Sequence, residues 1–400
     1  MPSPKPRILV VGAGIAGSLI TAGLAGRSDV DVICVERSPK GSQMDEGTGL
    51  NLGPNAIKAL RACLPEWAER LVANSLPWKR WTIGLTDGRP LMDLALDTVA
   101  DNPGIRIRWA ELYALLRRQM ENNIRFGTQL LSCERGPSGG AAIVRNVATG
   151  SEERIEDIDL IIAADGRYSA ARDSFVEPET PAFLGVCLYR LLFPAGDACP
   201  IDDYGQWFNG PNRLLAFQVP GNFVYVAGSF PIPMGAETPE HLKSAEALRR
   251  AYTPPNGTLS PQADYLVRSI ETYHNRIHWA RLQDGAVRFA GPAGVLFVGD
   301  AAHPMVPTLG QGATQSVEDA CVVVDEILGA LDRKADLVTV PSRVEERRSE
   351  RARFVVSFSR DATDTMLAGA DPVAGTLKKT EPEFLAKLTR LYRDTPEPQR

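Results

Sequence analysis

The chain has 400 residues, 44% hydrophobic and 23% charged, with 44 Lys and Arg against 49 Asp and Glu for a formal net charge of −5. This is ordinary soluble globular composition, long enough for two domains or one large domain with an insertion, and its acidic balance excludes a basic nucleic-acid footprint. Six scattered cysteines (Cys34, Cys63, Cys133, Cys187, Cys199, Cys321) form no Cys-x-x-Cys pair, which fits a reducing, cytoplasmic setting and argues against disulfides or a thiolate zinc site.

Lys5 and Arg7 precede an uncharged run from Ile8 to Gly26. It could pass for a signal peptide, but its glycine spacing has a better explanation. Ile8 to Val11 reads as a buried parallel strand, and Gly12, Gly14 and Gly17 follow in G-x-G-x-x-G spacing. The first glycine permits a tight turn, the second lets a pyrophosphate approach the backbone, and the third lets helix and strand pack closely. The helix N-terminus beyond them offers free N–H groups to phosphates. A second strand ends at Glu36, whose carboxylate suits both ribose hydroxyls and disfavours a 2′-phosphate. The dinucleotide is therefore NAD-like or FAD.

No further strand–helix unit follows at once. Met44 to Leu60 reads as a Gly-rich loop leading into an amphipathic helix. Gly136 to Gly140 spells G-x-S-x-G, but a strand-like run follows it, so a hairpin turn is expected in place of a nucleophile elbow. Apolar strands then end at Ala164, before Asp165-Gly166, and at Val298, before Gly299-Asp300. With Val11, three strands end in polar loops, and in open α/β sheets ligands bind beyond the carboxyl ends of the strands. His274 and His278 are spaced to share a helix face, yet no HExxH accompanies them and no metal is expected. Gln311 to Leu331 has the period of a helix packed on the sheet, and Arg343 to Arg360 that of a helix with one solvated face. No stretch is long and apolar enough for a membrane span.

The three motifs together resemble those of the single-component FAD-dependent aromatic hydroxylases, typified by p-hydroxybenzoate and salicylate hydroxylases, along almost the whole chain. They are Gly12 to Gly17, Ala164-Asp165-Gly166 with Ser169 and Arg172, and Gly299-Asp300 through His303, Pro307, Gly310-Gln311-Gly312 and Glu318-Asp319-Ala320. The resemblance implies an α/β Rossmann-like FAD-binding domain (1–76, 99–174 and 286–400, with C-terminal helices). An inserted antiparallel β-sheet substrate domain would take 77–98 and 175–285. It implies FAD contacts from Gly12, Gly14, Ile15, Ala16 and Gly17, and from Glu36 and Arg37 at the adenosine end. Gly49, Arg108 at a helix start, Leu130 near adenine, Asp165, Asp300 on the ribityl chain, and Pro307, Gly310, Gly312 and Ala313 around the flavin ring complete that set. Thr314 stands where relatives often carry Asn. His303 is expected to be structural.

What the resemblance implies chemically is a monooxygenase that uses NADH or NADPH and O2 to hydroxylate a phenol or hydroxypyridine through a flavin C4a-hydroperoxide. The expected partners are a small aromatic substrate, O2 and NAD(P)H, with no nucleic acid or membrane, in a monomer or homodimer. Within the antiparallel region, alternation puts Arg213, Leu215, Phe217 and Val219 on one face and Leu214, Ala216 and Gln218 on the other. Tyr189 and Arg190 face opposite ways. An arginine beside aromatic residues suits an anionic aromatic substrate, so Tyr189, Arg190, Trp207, Arg213, Phe217 and Tyr225 are candidate pocket residues, with Tyr204 beside them. Two other readings stay open at this point: a flavin-dependent reductase or dehydrogenase of the same fold, and a non-catalytic flavin-binding protein.

Overall fold

The computed structural model describes residues 5–42, 48–120, 122–136, 139–178 and 182–399. The uncharged N-terminal run becomes a strand (Arg7–Val11) and a helix (Ile15–Leu24) inside the core. That strand lies centrally in a five-stranded sheet whose order is Val295–Phe297, Leu160–Ala163, Arg7–Val11, Asp31–Glu36, Ile124–Phe126. Every neighbouring pair is parallel. The Gly12, Asp165 and Asp300 loops therefore leave adjacent strands at one end of one sheet, although far apart in sequence.

The long helix Gln311–Asp332 covers this sheet and is buried almost throughout. Two small antiparallel sheets flank it, Thr128–Gly136 with Gly139–Asn146 and Glu152–Ile158, and Gly49–Leu52 with Gly104–Arg108 and Leu76–Trp78. The first contains the hairpin expected at Gly136 to Gly140; Pro137 and Ser138 lie outside the described residues. The second corrects the expected Gly-rich loop: from Gly49 it is a short strand paired with Gly104–Arg108. Residues 43–47 of that stretch also lie outside the described residues.

The larger sheet has seven strands in the order His278–Asp284, Ala182–Pro194, Phe223–Pro231, Asn212–Val219, Tyr204–Asn209, Arg80–Leu85, Pro90–Ala95. It is antiparallel except where Tyr204–Asn209 meets Arg80–Leu85. One face (Leu214, Ala216, Tyr189, Leu191, Val224) is covered by helices Ala245–Tyr252 and Pro261–Thr272. The other (Leu188, Leu215, Phe217, Tyr225, Ala227) looks toward the first sheet and the C-terminal helices. His274 and His278 share no helix face: the helix stops at Thr272, His274 sits in a 3-10 turn and His278 opens a strand.

Candidate active site

Two adjoining cavities run along the carboxyl ends of the five-stranded sheet. They share Gly14, Tyr113, Ala164, Gly166 and Tyr168 as walls. The first, about 570 Å3, lies between the sheet end and the open face of the seven-stranded sheet. The second, about 310 Å3, is bounded by Gly12, Glu36, Arg37, Leu130 and Asp165.

The glycines act as their spacing suggests. Gly12 sits at φ +92°, and a Cβ there would lie 2.6 Å from the Ala164 carbonyl oxygen, a left-handed position that other residues rarely occupy. A Cβ on Gly17 would fall 1.9 Å from the Gly12 carbonyl oxygen, so Gly17 serves helix–strand packing and lines neither cavity. A Cβ on Gly14 would meet only the Ala164 oxygen, at 3.8 Å, which leaves backbone open to both cavities at a helix N-terminus. Ile15 and Ala16 line the first cavity beside it.

Glu36 accepts hydrogen bonds from the backbone N–H groups of Ala13 and Ser38, both at 2.9 Å, and stays on the second cavity wall. Asp165 accepts from the Ser169 hydroxyl and from the Ala171 N–H. Burial pushes its carboxyl up, against the opposing pull of those bonds. The first cavity is lined by Asp300, Pro307, Gly310, Gly312 and Ala313. Gly310, at φ +65°, caps the Gln311–Asp332 helix and lets the chain turn in beside Asn51. Gly49 lines the cavity too, and a Cβ there would lie 2.5 Å from the Tyr225 Cβ.

Arg108 departs from expectation. It caps the helix Trp109–Arg117, but its guanidinium pairs with Glu111 at 2.5 Å, lies 4.9 Å from the Phe223 ring centroid and lines neither cavity. Arg117, at the other end of that helix, lines the second cavity along with Arg37. Its Nε and Nη2 donate to the Ala13 carbonyl at 2.9 and 2.6 Å, beside Glu36 at 3.6 Å. The apolar period of the helix gave no reason to prefer it.

Beneath the Asp300 loop lies a buried polar network. Asp319 accepts from the Gly299 N–H (2.8 Å), from His303 Nε2 (2.6 Å) and from Arg348 Nε (2.8 Å). Arg348 also donates to Glu318 (2.8 Å) and Gln315 (2.7 Å), while Arg351 and Asn55 close on Glu318. Burial would push Asp319 up, but the charges of His303 and Arg348 hold it down at about 2. His303 is thus part of the loop's support and lines neither cavity. Thr314 receives the Gly53 N–H at 2.9 Å.

On the sheet face, Arg190, Arg213 and Tyr225 line the first cavity, with Tyr204, Leu188, Leu215 and Ala227. Three expected pocket residues do not. Tyr189 and Trp207 project to the helix-covered face, because each lies one residue off the cavity-facing register. Phe217 is on the correct face but sits behind the wall, its ring 5.5 Å from Tyr204 and 5.0 Å from Tyr225. Sequence reasoning missed Asn51, Tyr113, Arg167, Arg281 and Gln283, all on the cavity. They come from different elements with no shared motif.

The residues fit FAD: glycine backbone at a helix N-terminus between the cavities, an acid on the second, and a glycine-rich wall with the buried, unpartnered Nδ2 of Asn51 on the first. A model of the FAD binding domain matches residues 5–186 and 269–359. The 3-amino-4-hydroxybenzoate 2-monooxygenase PtnB3 of Streptomyces platensis is 30% identical over 365 residues, covering 89% of this chain and 87% of that protein. The chain belongs to the FAD-dependent aromatic hydroxylase family. Another relative of this hydroxylase is the 6-hydroxynicotinate 3-monooxygenase of Pseudomonas fluorescens, 26% identical over 376 residues, covering 90% of this chain and 92% of that one. In fold the hydroxylase matches Klebsiella pneumoniae HpxO, solved with FAD and uric acid, at TM-score 0.80 and 20% identity, covering 98% of this chain and 97% of that chain.

Proposed function

We propose that this hydroxylase inserts one oxygen atom of O2 into an electron-rich ring of the phenol or hydroxypyridine class, with NADH or NADPH supplying the electrons. The observation that carries the reading is the first cavity itself. It sets a glycine-lined wall and Asp300 opposite a sheet face that presents phenols and guanidiniums among apolar side chains. The relatives' activities, on 6-hydroxynicotinate and on 3-amino-4-hydroxybenzoate, are of this class.

FAD would lie across both cavities. Its adenine would sit by Leu130, its ribose on Glu36 with Arg37 alongside, and its pyrophosphate over Gly14 and Ile15, with Asp165 near. Asp300 would hold the ribityl chain, and the ring system would rest against Gly49 and Pro307 to Ala313. Bound there, FAD supplies electron uptake from the nicotinamide and activation of O2. The protein supplies position and a dry wall. Burial pushes the Tyr225 phenol up and that of Tyr204 to about 12. Both therefore stay protonated at neutral pH and offer O–H donors to an oxygen on the ring.

The test is turnover of the purified FAD-loaded protein under 18O2, with phenols and hydroxypyridines as substrates. One labelled oxygen in the product, with one NAD(P)H oxidised, is expected. A reduced ring or an unlabelled product would replace this reading with the reductase.

A further inference from the structure

Arg213 is 3% exposed, and among the described residues its guanidinium has no ion-pair or hydrogen-bond partner. Arg190 is half-buried, its Nε is enclosed, and it too has no partner there. The other inward arginines differ: Arg348, Arg351 and Arg106 all donate to named acceptors. Both unpartnered arginines line the first cavity, where Asp300 is the one carboxylate among the described lining residues.

A guanidinium taken out of water without an acceptor is costly unless a ligand provides one. Burial pushes the Arg213 guanidinium down, and burial together with the charge of Arg213 pushes the Lys379 ammonium down. The two arginines do not share one spot. Arg190 pairs in register with Ala227, and Arg213 with Ser229, on either side of the strand Phe223–Pro231. Strand spacing and rise put their Cα atoms roughly 12 Å apart. Tyr225, on the strand between them, feels both charges. A planar guanidinium takes a carboxylate or oxyanion through two parallel N–H donors.

We infer that the substrate carries two separate anionic groups on one aromatic scaffold, one bound by Arg213 and the other by Arg190. Arg190 is the residue that selects the second group. The inference rests on the reading that an aromatic compound occupies the first cavity.

The FAD-loaded protein is titrated with benzoate and with the three benzenedicarboxylates, followed by flavin absorbance and by calorimetry. The best dicarboxylate is expected to bind at least about tenfold more tightly than benzoate. Arg190→Gln should abolish that advantage and leave benzoate within about twofold, whereas Arg213→Gln should weaken both kinds of ligand. Equal affinities in the unmodified protein overturn the inference without any variant. So does an Arg190→Gln protein that weakens benzoate and dicarboxylate alike, which would mean one anion shared by both arginines. Loss of FAD from the Arg190→Gln protein would assign that arginine to the cofactor and also overturn it. If none of the acids binds to protein that holds FAD, the reading of the cavity as an aromatic site fails as well. Benzoate binding with no gain for a second carboxylate sinks the two-anion inference alone.

Discussion

Arg348 and Arg213 are both buried, one under the Asp300 loop and the other on the seven-stranded sheet. Arg348 meets two carboxylates and an amide oxygen at 2.7–2.8 Å. Arg213 meets none. A buried charge whose donors are all answered within the chain is scaffold: its geometry is complete before any ligand arrives. A buried charge left unanswered on a cavity wall is held in place for something else. The same contrast separates Glu318 and Asp319, clamped from several sides, from Tyr225, whose phenol feels the charges of Arg190 and Arg213, neither of them partnered among the described residues. On the proposed reading, one half of the molecule fixes where FAD lies, and the other leaves its polar groups for the substrate.

Breaking the satisfied half should cost the most. Arg348→Met leaves Glu318 and Asp319 buried with part of their counter-charge removed, so stability should fall by about 3–5 kcal/mol, read from denaturant unfolding. The same half should carry an acid limb. The Asp319 carboxyl is held at about 2 in the folded protein against 3.8 for the free group. A lowered folded value stabilises above the unfolded one, so this contribution is full above about pH 4 and fades as pH falls toward about 2. It amounts to about 2 kcal/mol. Unfolding free energies at several pH values, compared with those of Asp319→Asn, should show the variant losing less on acidification.

Asp300→Ala removes a carboxylate that lines the cavity and makes no ion pair among the described residues. FAD affinity should fall at least about tenfold, about 1.4 kcal/mol, with the apoprotein's stability little changed. Full flavin content at unchanged affinity would take Asp300 out of the cofactor set. The smallest effect sharpens the comparison from the other side. Trp207→Phe alters the helix-covered face of the same sheet, so aromatic-acid affinity should stay within about twofold. A larger loss would place Trp207 on the ligand after all.

The cofactor half was legible in the sequence because its chemistry is backbone chemistry. A strand crossing that puts a Gly17 Cβ 1.9 Å from the Gly12 oxygen admits glycine alone, so the spacing records the geometry. The three loops could be joined into one site because parallel strands share one carboxyl end. The sheet half was legible only as alternation. Alternation separated Arg213 from Leu214 correctly, but it carried no mark of which face meets helices, and so Tyr189 and Trp207 were placed in the pocket. Arg348 was hidden differently. It lies within a run of Arg and Glu whose composition reads as a solvated face, and only the fold turns it, with Arg347 and Arg351 beside it, inward. Arg108 is held off both cavities by a side-chain choice: Glu111, one turn along, pairs with it locally.

The most direct test of the account is a flavin difference spectrum recorded while an aromatic acid is added to the FAD-loaded protein and to its Arg213→Gln variant. The account predicts a saturable perturbation of the flavin band at one equivalent, matching the calorimetric affinity, and at least about tenfold weaker in the variant. An acid that binds without disturbing the flavin, or that binds the variant as well as the original, would contradict it.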